Sequence, residues 1–172
     1  MAQHRARDVN SQRARHCRPV HLRRRAGSPV TPPVPGRPAP ELSELNRPYW
    51  TSGADGAFRM QRCPGCERVV HPPALRCQYD HAAPEWITLS GKGIVESWTV
   101  NHHAFFPGLP APYVIAFVNP VEDIRARVLT NLVGVAPDDV HAGMAVRVVF
   151  ERADTDDSEQ AVYLPMFTPE AP

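Results

Sequence analysis

The chain has 172 residues, of which 42% are hydrophobic and 22% charged, enough for one ordinary domain and a small satellite. Its formal net charge of +1 conceals an asymmetry: residues 1–40 carry nine arginines against Asp8 alone, a net of +8, while residues 41–172 carry nine arginines and Lys92 against 17 acids, a net of −7. An acidic body is a poor platform for a phosphate backbone, no run of about 18 or more apolar residues offers a membrane span, and the charged N-terminus lacks the apolar segment of a secretory signal.

Residues 1–40 carry seven prolines, six of them, Pro29, Pro32, Pro33, Pro35, Pro38 and Pro40, in the closing stretch. Prolines at this density oppose helix and sheet, so the arm reads as a disordered, basic, Pro-rich extension. It is Arg-rich and acid-poor like an organellar transit peptide, but lacks a broad apolar face. Cys17 is an uncommitted thiol in this arm. Residues 41–57 read as a helical segment and linker: Glu41 to Asn46 supply one or two turns, and Pro48 holds Arg47 extended, so that a longer helix must restart after it. Tyr49 and Trp50 are large surfaces that either cover the following module or meet a ligand or partner.

Residues 58–83 are the stretch around which the chain is organised. Phe58, Met60 and Arg62 alternate with Arg59 and Gln61 into Cys63-Pro64-Gly65-Cys66, and Cys77 follows with Asp80 and His81 close behind. Two thiolates three positions apart can grip a tetrahedral metal from a tight turn, and a second pair on a later turn can close the shell. A redox dithiol needs its first cysteine at a helix N-terminus. Here Val69-Val70-His71-Pro72-Pro73 cannot continue a helix, so the pair reads as a knuckle, with Gly65 free to take positive φ. The fourth ligand stays open. Asp80 has the matching spacing, imidazole suits a three-cysteine zinc site better and favours His81, and His71 between the pairs is a reserve. Loss of the metal is a third option. Three clustered cysteines suit an intracellular metal site better than a disulfide framework, which points to the cytoplasm.

Residues 84–168 read as strands. Gly93 to His102 is a long one. Adjacent His102 and His103 at its end face opposite ways and do not converge on one ion. Phe105 and Phe106 lie in the next loop, and Tyr113 to Val118 is apolar on both faces. Ile124, Ala126, Val128, Thr130 and Leu132 share one face with a period of two. Pro137 to Val140 is a short helical turn, Met144, Val146, Val148 and Phe150 point inward from a fourth strand, residues 154–159 are an acidic hairpin tip, and residues 160–167 form the last strand. The fold expected is mainly β: a metal-binding ribbon followed by a five-stranded barrel of the OB type, preceded by a short helical segment. No phosphate loop, nucleophile elbow or HExxH accompanies it, so the chain lacks a self-contained catalytic constellation.

The ordered series Pro48-Tyr49-Trp50, Gln61-Arg62-Cys63-Pro64-Gly65-Cys66, Pro72-Pro73, Cys77, Ser90-Gly91-Lys92-Gly93-Ile94-Val95, Pro112-Tyr113-Val114-Ile115-Ala116, Thr130-Asn131-Leu132-Val133-Gly134, Gly143 to Phe150 and Leu164-Pro165-Met166-Phe167 resembles the acyl-CoA-associated family that joins a rubredoxin-like zinc ribbon to an OB fold (domain of unknown function thirty-five). The resemblance covers about residues 46–168. It implies a zinc held by Cys63, Cys66 and Cys77, with Asp80 where the family has its fourth cysteine and His81 beside it. It also implies a non-catalytic partner of a thiolase-like aldolase or acyltransferase in a heteromeric complex. The two would share an acyl-CoA thioester, as in retro-aldol cleavage of steroid side chains. Tyr49, Trp50, Trp98, Phe105 and Phe106 are the candidate contacts to partner or acyl-CoA. The rival expectation is a single-stranded nucleic-acid module whose aromatics stack bases, against which the net charge of residues 41–172 argues.

Overall fold

The computed structural model describes residues 27–34, 37–105, 109–153 and 161–170. Residues 1–26 of the arm with Cys17, the loop residue Phe106 and the acidic tip at 154–159 lie outside them. Two sheets share one core. A three-stranded antiparallel sheet has β2 (Phe58–Arg62) at its centre, flanked by β3 (Val69–Val70) and β4 (Glu85–Leu89). The larger, six-stranded sheet is built from β1 (Val30–Thr31), β5 (Lys92–Asn101), β6 (Tyr113–Pro120), β7 (Val128–Leu132), β8 (Ala145–Ala153) and β9 (Val162–Pro169), in the order β1-β8-β5-β6-β7-β9 with β8 also paired to β9.

The period-two pattern sets which side chains enter the core. Val146, Val148 and Phe150 on β8, and Val128, Thr130 and Leu132 on β7, are all buried, whereas Arg147 and Leu129 between them face out. Burying each such apolar side chain contributes about 1.5–3 kcal/mol. Ile124 is the exception to the expected run: it precedes β7 in a turn and is 69% exposed. The two sheets are joined where Phe58 of β2 meets Phe167 of β9 edge to face, centroids 5.8 Å apart, an arrangement the ring quadrupoles favour. Pro137–Asp139 forms the expected short helical turn between β7 and β8.

The closed five-stranded barrel expected from the strand pattern is corrected here. The large sheet is curled and mixed, and β7 and β9 run parallel with a single residue pair, Leu132 opposite Phe167, so the sheet is not laced shut along that seam. The reason lies in β9. The N–H groups of Phe150 and Val148 go to Pro29 and Gly91, away from β9, so the residues opposite them, Pro165 and Phe167, aim their own backbone groups at β7. The same alternation aims Pro169 there. Two of those three positions are prolines with no N–H to donate. Contacts that do cross this seam include Val133 N–H donating to Phe167 O at 2.8 Å and the Thr130 hydroxyl donating to Pro165 O at 2.8 Å.

Two further expectations are revised. The described part of the Pro-rich arm is docked: Val30 and Thr31 pair in parallel with Phe150 and Glu151, and Arg37 Nε lies 2.7 Å from the buried Glu151 carboxylate. Proline density opposes a central strand, but Pro29 and Pro32 flank a two-residue edge strand, which tolerates them. The short helix α1 spans Arg47–Trp50 with Pro48 in its first turn, so Arg47 is helical. Proline there removes only a donor that would have no helical partner, and the reciprocal Ser43–Asn46 hydrogen bonds hold the preceding turn.

Candidate metal centre

Two knuckles with the same backbone plan build the site. In the first, Cys63 N–H donates to Arg68 O and Glu67 N–H to Cys63 O, both at 2.9 Å. In the second, Cys77 N–H donates to Ala82 O at 2.9 Å and His81 N–H to Cys77 O at 3.0 Å. Glu67 and His81 occupy equivalent positions and both have left-handed backbones, φ 58° and 61°. The ligand positions are therefore 63 and 66 in one knuckle and 77 and 80 in the other. Cys63, Cys66, Cys77 and Asp80 each place one ligand atom within 4.8 Å of the others, forming a cluster capable of coordinating a metal. The fourth corner goes to Asp80, whereas donor softness had favoured His81. Imidazole chemistry suits the ion, but His81 stands one residue past the ligand position on a left-handed turn and is exposed. His71 is also elsewhere, packed 5.0 Å from the Tyr49 ring.

The donor set fits a tetrahedral ion. Cys66 Sγ and Cys77 Sγ are 3.6 Å apart, against about 3.8 Å for two thiolates on one zinc. Backbone N–H groups point at the sulfurs: Cys66 N to Cys63 Sγ at 3.5 Å and Tyr79 N to Cys77 Sγ at 3.4 Å. N–H groups of Tyr79 and Asp80 pull the Cys77 thiol below its usual range, while burial pushes the Cys63 thiol up to about 11. The Cys63 Sγ–H in turn donates to both Asp80 oxygens at 3.0 Å, and this bond, followed by that from Ala82 N–H, holds the Asp80 carboxyl below its usual range. Gly65 is needed for close approach and not for positive φ: a Cβ there would lie 2.2 Å from Asp80 Oδ2. Asp80→Cys is expected to tighten zinc at least about tenfold, because thiolate is the softer donor. Competition with a chromogenic chelator measures this, and unchanged affinity would remove Asp80 from the ligand set.

Residues that pattern reading missed hold the centre in place. Buried Gln61 accepts the Ala74 N–H at 2.7 Å, anchoring the segment between the knuckles. Buried Asp123, from the turn before β7, accepts the Val69 N–H at 2.9 Å and bonds from Arg125, tying the ribbon to the large sheet. Burial alone would raise the Asp123 carboxyl, but the bonds from Arg125 and Val69 more than offset it and the net direction is down. Neither was legible: the alternation set Gln61 with Arg59 on the face opposite Phe58 and Met60, and nothing in the sequence paired Asp123 with Val69.

Of the candidate contact residues, Tyr49 is corrected: it is 3% exposed, edge-on to Trp50 and against Phe58 and His71, so it belongs to the core. Trp50 packs on that core, half-buried. Trp98 and Phe105 are exposed and separate from the metal cluster, and Phe106 lies outside the described residues. Burial under Tyr49 also lowers His71 from 6.5 to about 4. Its neutral form is thus favoured on folding, and that stability is complete above the unfolded value and lost as pH falls through 6.5 toward 4, by about 3 kcal/mol. Urea midpoints measured against pH should show this acid limb flattened in His71→Leu.

Comparison with known proteins supports the same architecture. Residues 50–84 match the domain described as ChsH2, rubredoxin-like zinc ribbon domain, and residues 86–151 match ChsH2, C-terminal OB-fold domain. A solved structure titled Ltp2-ChsH2(DUF35) aldolase is 32% identical, with a TM-score of 0.62 over 76% of this chain and 98% of that one. The chain belongs to the DUF35/ChsH2 family. It is also 34% identical over 138 residues to a probable enoyl-CoA hydratase alpha subunit of Thermomonospora curvata, covering 79% of this chain and 41% of that protein. Identity is 34% over 130 residues to the 3-oxo-4,17-pregnadiene-20-carboxyl-CoA hydratase alpha subunit of Mycobacterium tuberculosis, covering 73% and 41%. The chain thus spans about two fifths of the length of these curated relatives.

Proposed function

We propose that this chain is a non-catalytic partner subunit of a thiolase-like aldolase or acyltransferase that acts on acyl-CoA thioesters, with retro-aldol cleavage of steroid side chains as the reaction served. The observation that carries the reading is the match over 98% of the chain titled Ltp2-ChsH2(DUF35) aldolase. The pregnadiene carboxyl-CoA hydratase subunit among the relatives supports the substrate class. Among the described residues, the grouping of His, Cys, Asp and Glu ligand atoms is the three-cysteine and aspartate cluster, whose chemistry is that of a cross-link. Zinc on Cys63, Cys66, Cys77 and Asp80 would fix the two knuckles to one another, and Asp123 would pass that order to the large sheet.

Trp98 and Phe105, exposed and aromatic, are the side chains offered to the partner, since buried aromatic anchors dominate interface energetics. No helix among the described residues is long and apolar enough to cross a membrane, and the reading places the complex in the cytoplasm. Co-expression with a thiolase-like subunit from the same genome, followed by size exclusion, tests the assembly. The expected result is one peak containing both chains, weakened by Trp98→Ala; persistent separate elution would refute it.

A further inference from the structure

A cleft of about 310 Å³ lies between the second knuckle, β3 and the turn leading into β7. Four of its lining residues are arginines, Arg68, Arg76, Arg125 and Arg127, and Asp123 is the one acidic residue among the lining. This concentration of positive charge stands on a body whose net charge over residues 41–172 is −7, so average surface composition does not account for it. The single carboxylate is already engaged by Val69 N–H and Arg125, and the Arg125 contact uses Nε, leaving the outer edge of the fork available. Arg68 rests on the Tyr79 ring, its Cζ 4.1 Å from the ring centroid, a contact that restricts the guanidinium and lowers the entropic cost of its hydrogen bonds. Arg76 is anchored through Nη1 to His81 O at 3.0 Å, and Arg127 is fixed by Glu96, which lies outside the lining. The cleft therefore holds pre-oriented planar donors around a floor that includes Val69, Val70 and Ala126. Planar forks of this kind match the tetrahedral oxygens of phosphate in paired hydrogen bonds.

We propose that this cleft binds a phosphate-bearing anion, gripped by Arg68, Arg76 and the outer edge of Arg125. The shared chemistry is the phosphate group, which a free pyrophosphate or the tail of a nucleotide supplies equally. The site needs no partner subunit, so its test runs on the full chain alone and is independent of the assembly experiment. Calorimetric titration at low ionic strength with pyrophosphate and with adenosine diphosphate is expected to show saturable binding, weakened at least about tenfold by Arg68→Gln and by Arg76→Gln, as loss of charge-assisted hydrogen bonds requires. Arg147→Gln, on the exposed face of β8 outside the cleft, should leave it unchanged. Equal affinity for the two probes identifies free phosphate as sufficient, and tighter adenosine diphosphate identifies a nucleotide; either upholds the site. Absence of saturable binding, or an equal loss in Arg147→Gln, overturns it.

Discussion

Cys77→Ser is expected to abolish stoichiometric metal binding and to unfold the two knuckles while leaving the large sheet folded. Cys77 is 1% exposed and brings the second knuckle to the first, with its sulfur 3.6 Å from Cys66 Sγ. A structural zinc contributes about 10–16 kcal/mol in apparent terms, as large as the whole stability of an ordinary domain. Little in the ribbon can replace it. Its one sheet pairing beyond that of β2 with β4 joins β2 to β3 and is two residue pairs long, Gln61 with Val70 and Arg62 with Val69, and the loop carrying Cys77 is anchored through Gln61. Metal analysis together with hydrogen exchange gives the readout: residues 63–82 should lose protection while 114–118 keep theirs. A Cys77→Ser chain that retains one metal per molecule would show that the ligand set is different.

Phe167→Ala is expected to cost about 3–5 kcal/mol, as for other buried aromatic truncations. Its side chain is 0% exposed and meets Phe58 edge to face, so the change removes core volume and the ring contact that joins the two sheets. Its backbone also carries the one residue pair between β7 and β9, and a cavity there loosens the seam that the prolines already weaken. Equilibrium unfolding in urea should show the loss as a lowered midpoint, with Phe167→Leu retaining most of the stability because it keeps more of the volume. A loss below about 1 kcal/mol would mean that the sheets are joined elsewhere.

Local signals carried much of this architecture. The alternation from Val128 to Leu132 reports a half-buried strand directly, that of β8 holds from Val146 to Val148 and gives way at Val149, which is buried as well, and the Cys63–Cys66 spacing with its β-branched exit reports a knuckle. The failures share one physical origin, since they concern which distant backbone groups face each other. Pro165 and Pro169 are visible in the sequence, but only register shows that both face β7 and leave the sheet unclosed. The edge of β8 at Phe150 and Glu151 gave the Pro-rich arm a place to dock that its composition could not announce. Donor softness pointed to His81, whereas the fourth position follows the backbone repeat that equates His81 with Glu67 and Asp80 with Cys66. That repeat is present as spacing, 63 to 66 and 77 to 80, and geometry outweighed ligand preference.

The partner-subunit reading is tested most directly by assaying acyl-CoA cleavage across three samples: the thiolase-like subunit alone, this chain alone and their purified complex. The account predicts turnover in the complex, none by this chain alone, and turnover in the complex that survives replacement of any single exposed His, Asp or Glu of this chain outside the metal cluster. Cleavage of a steroid-derived acyl-CoA by the purified chain on its own would contradict it.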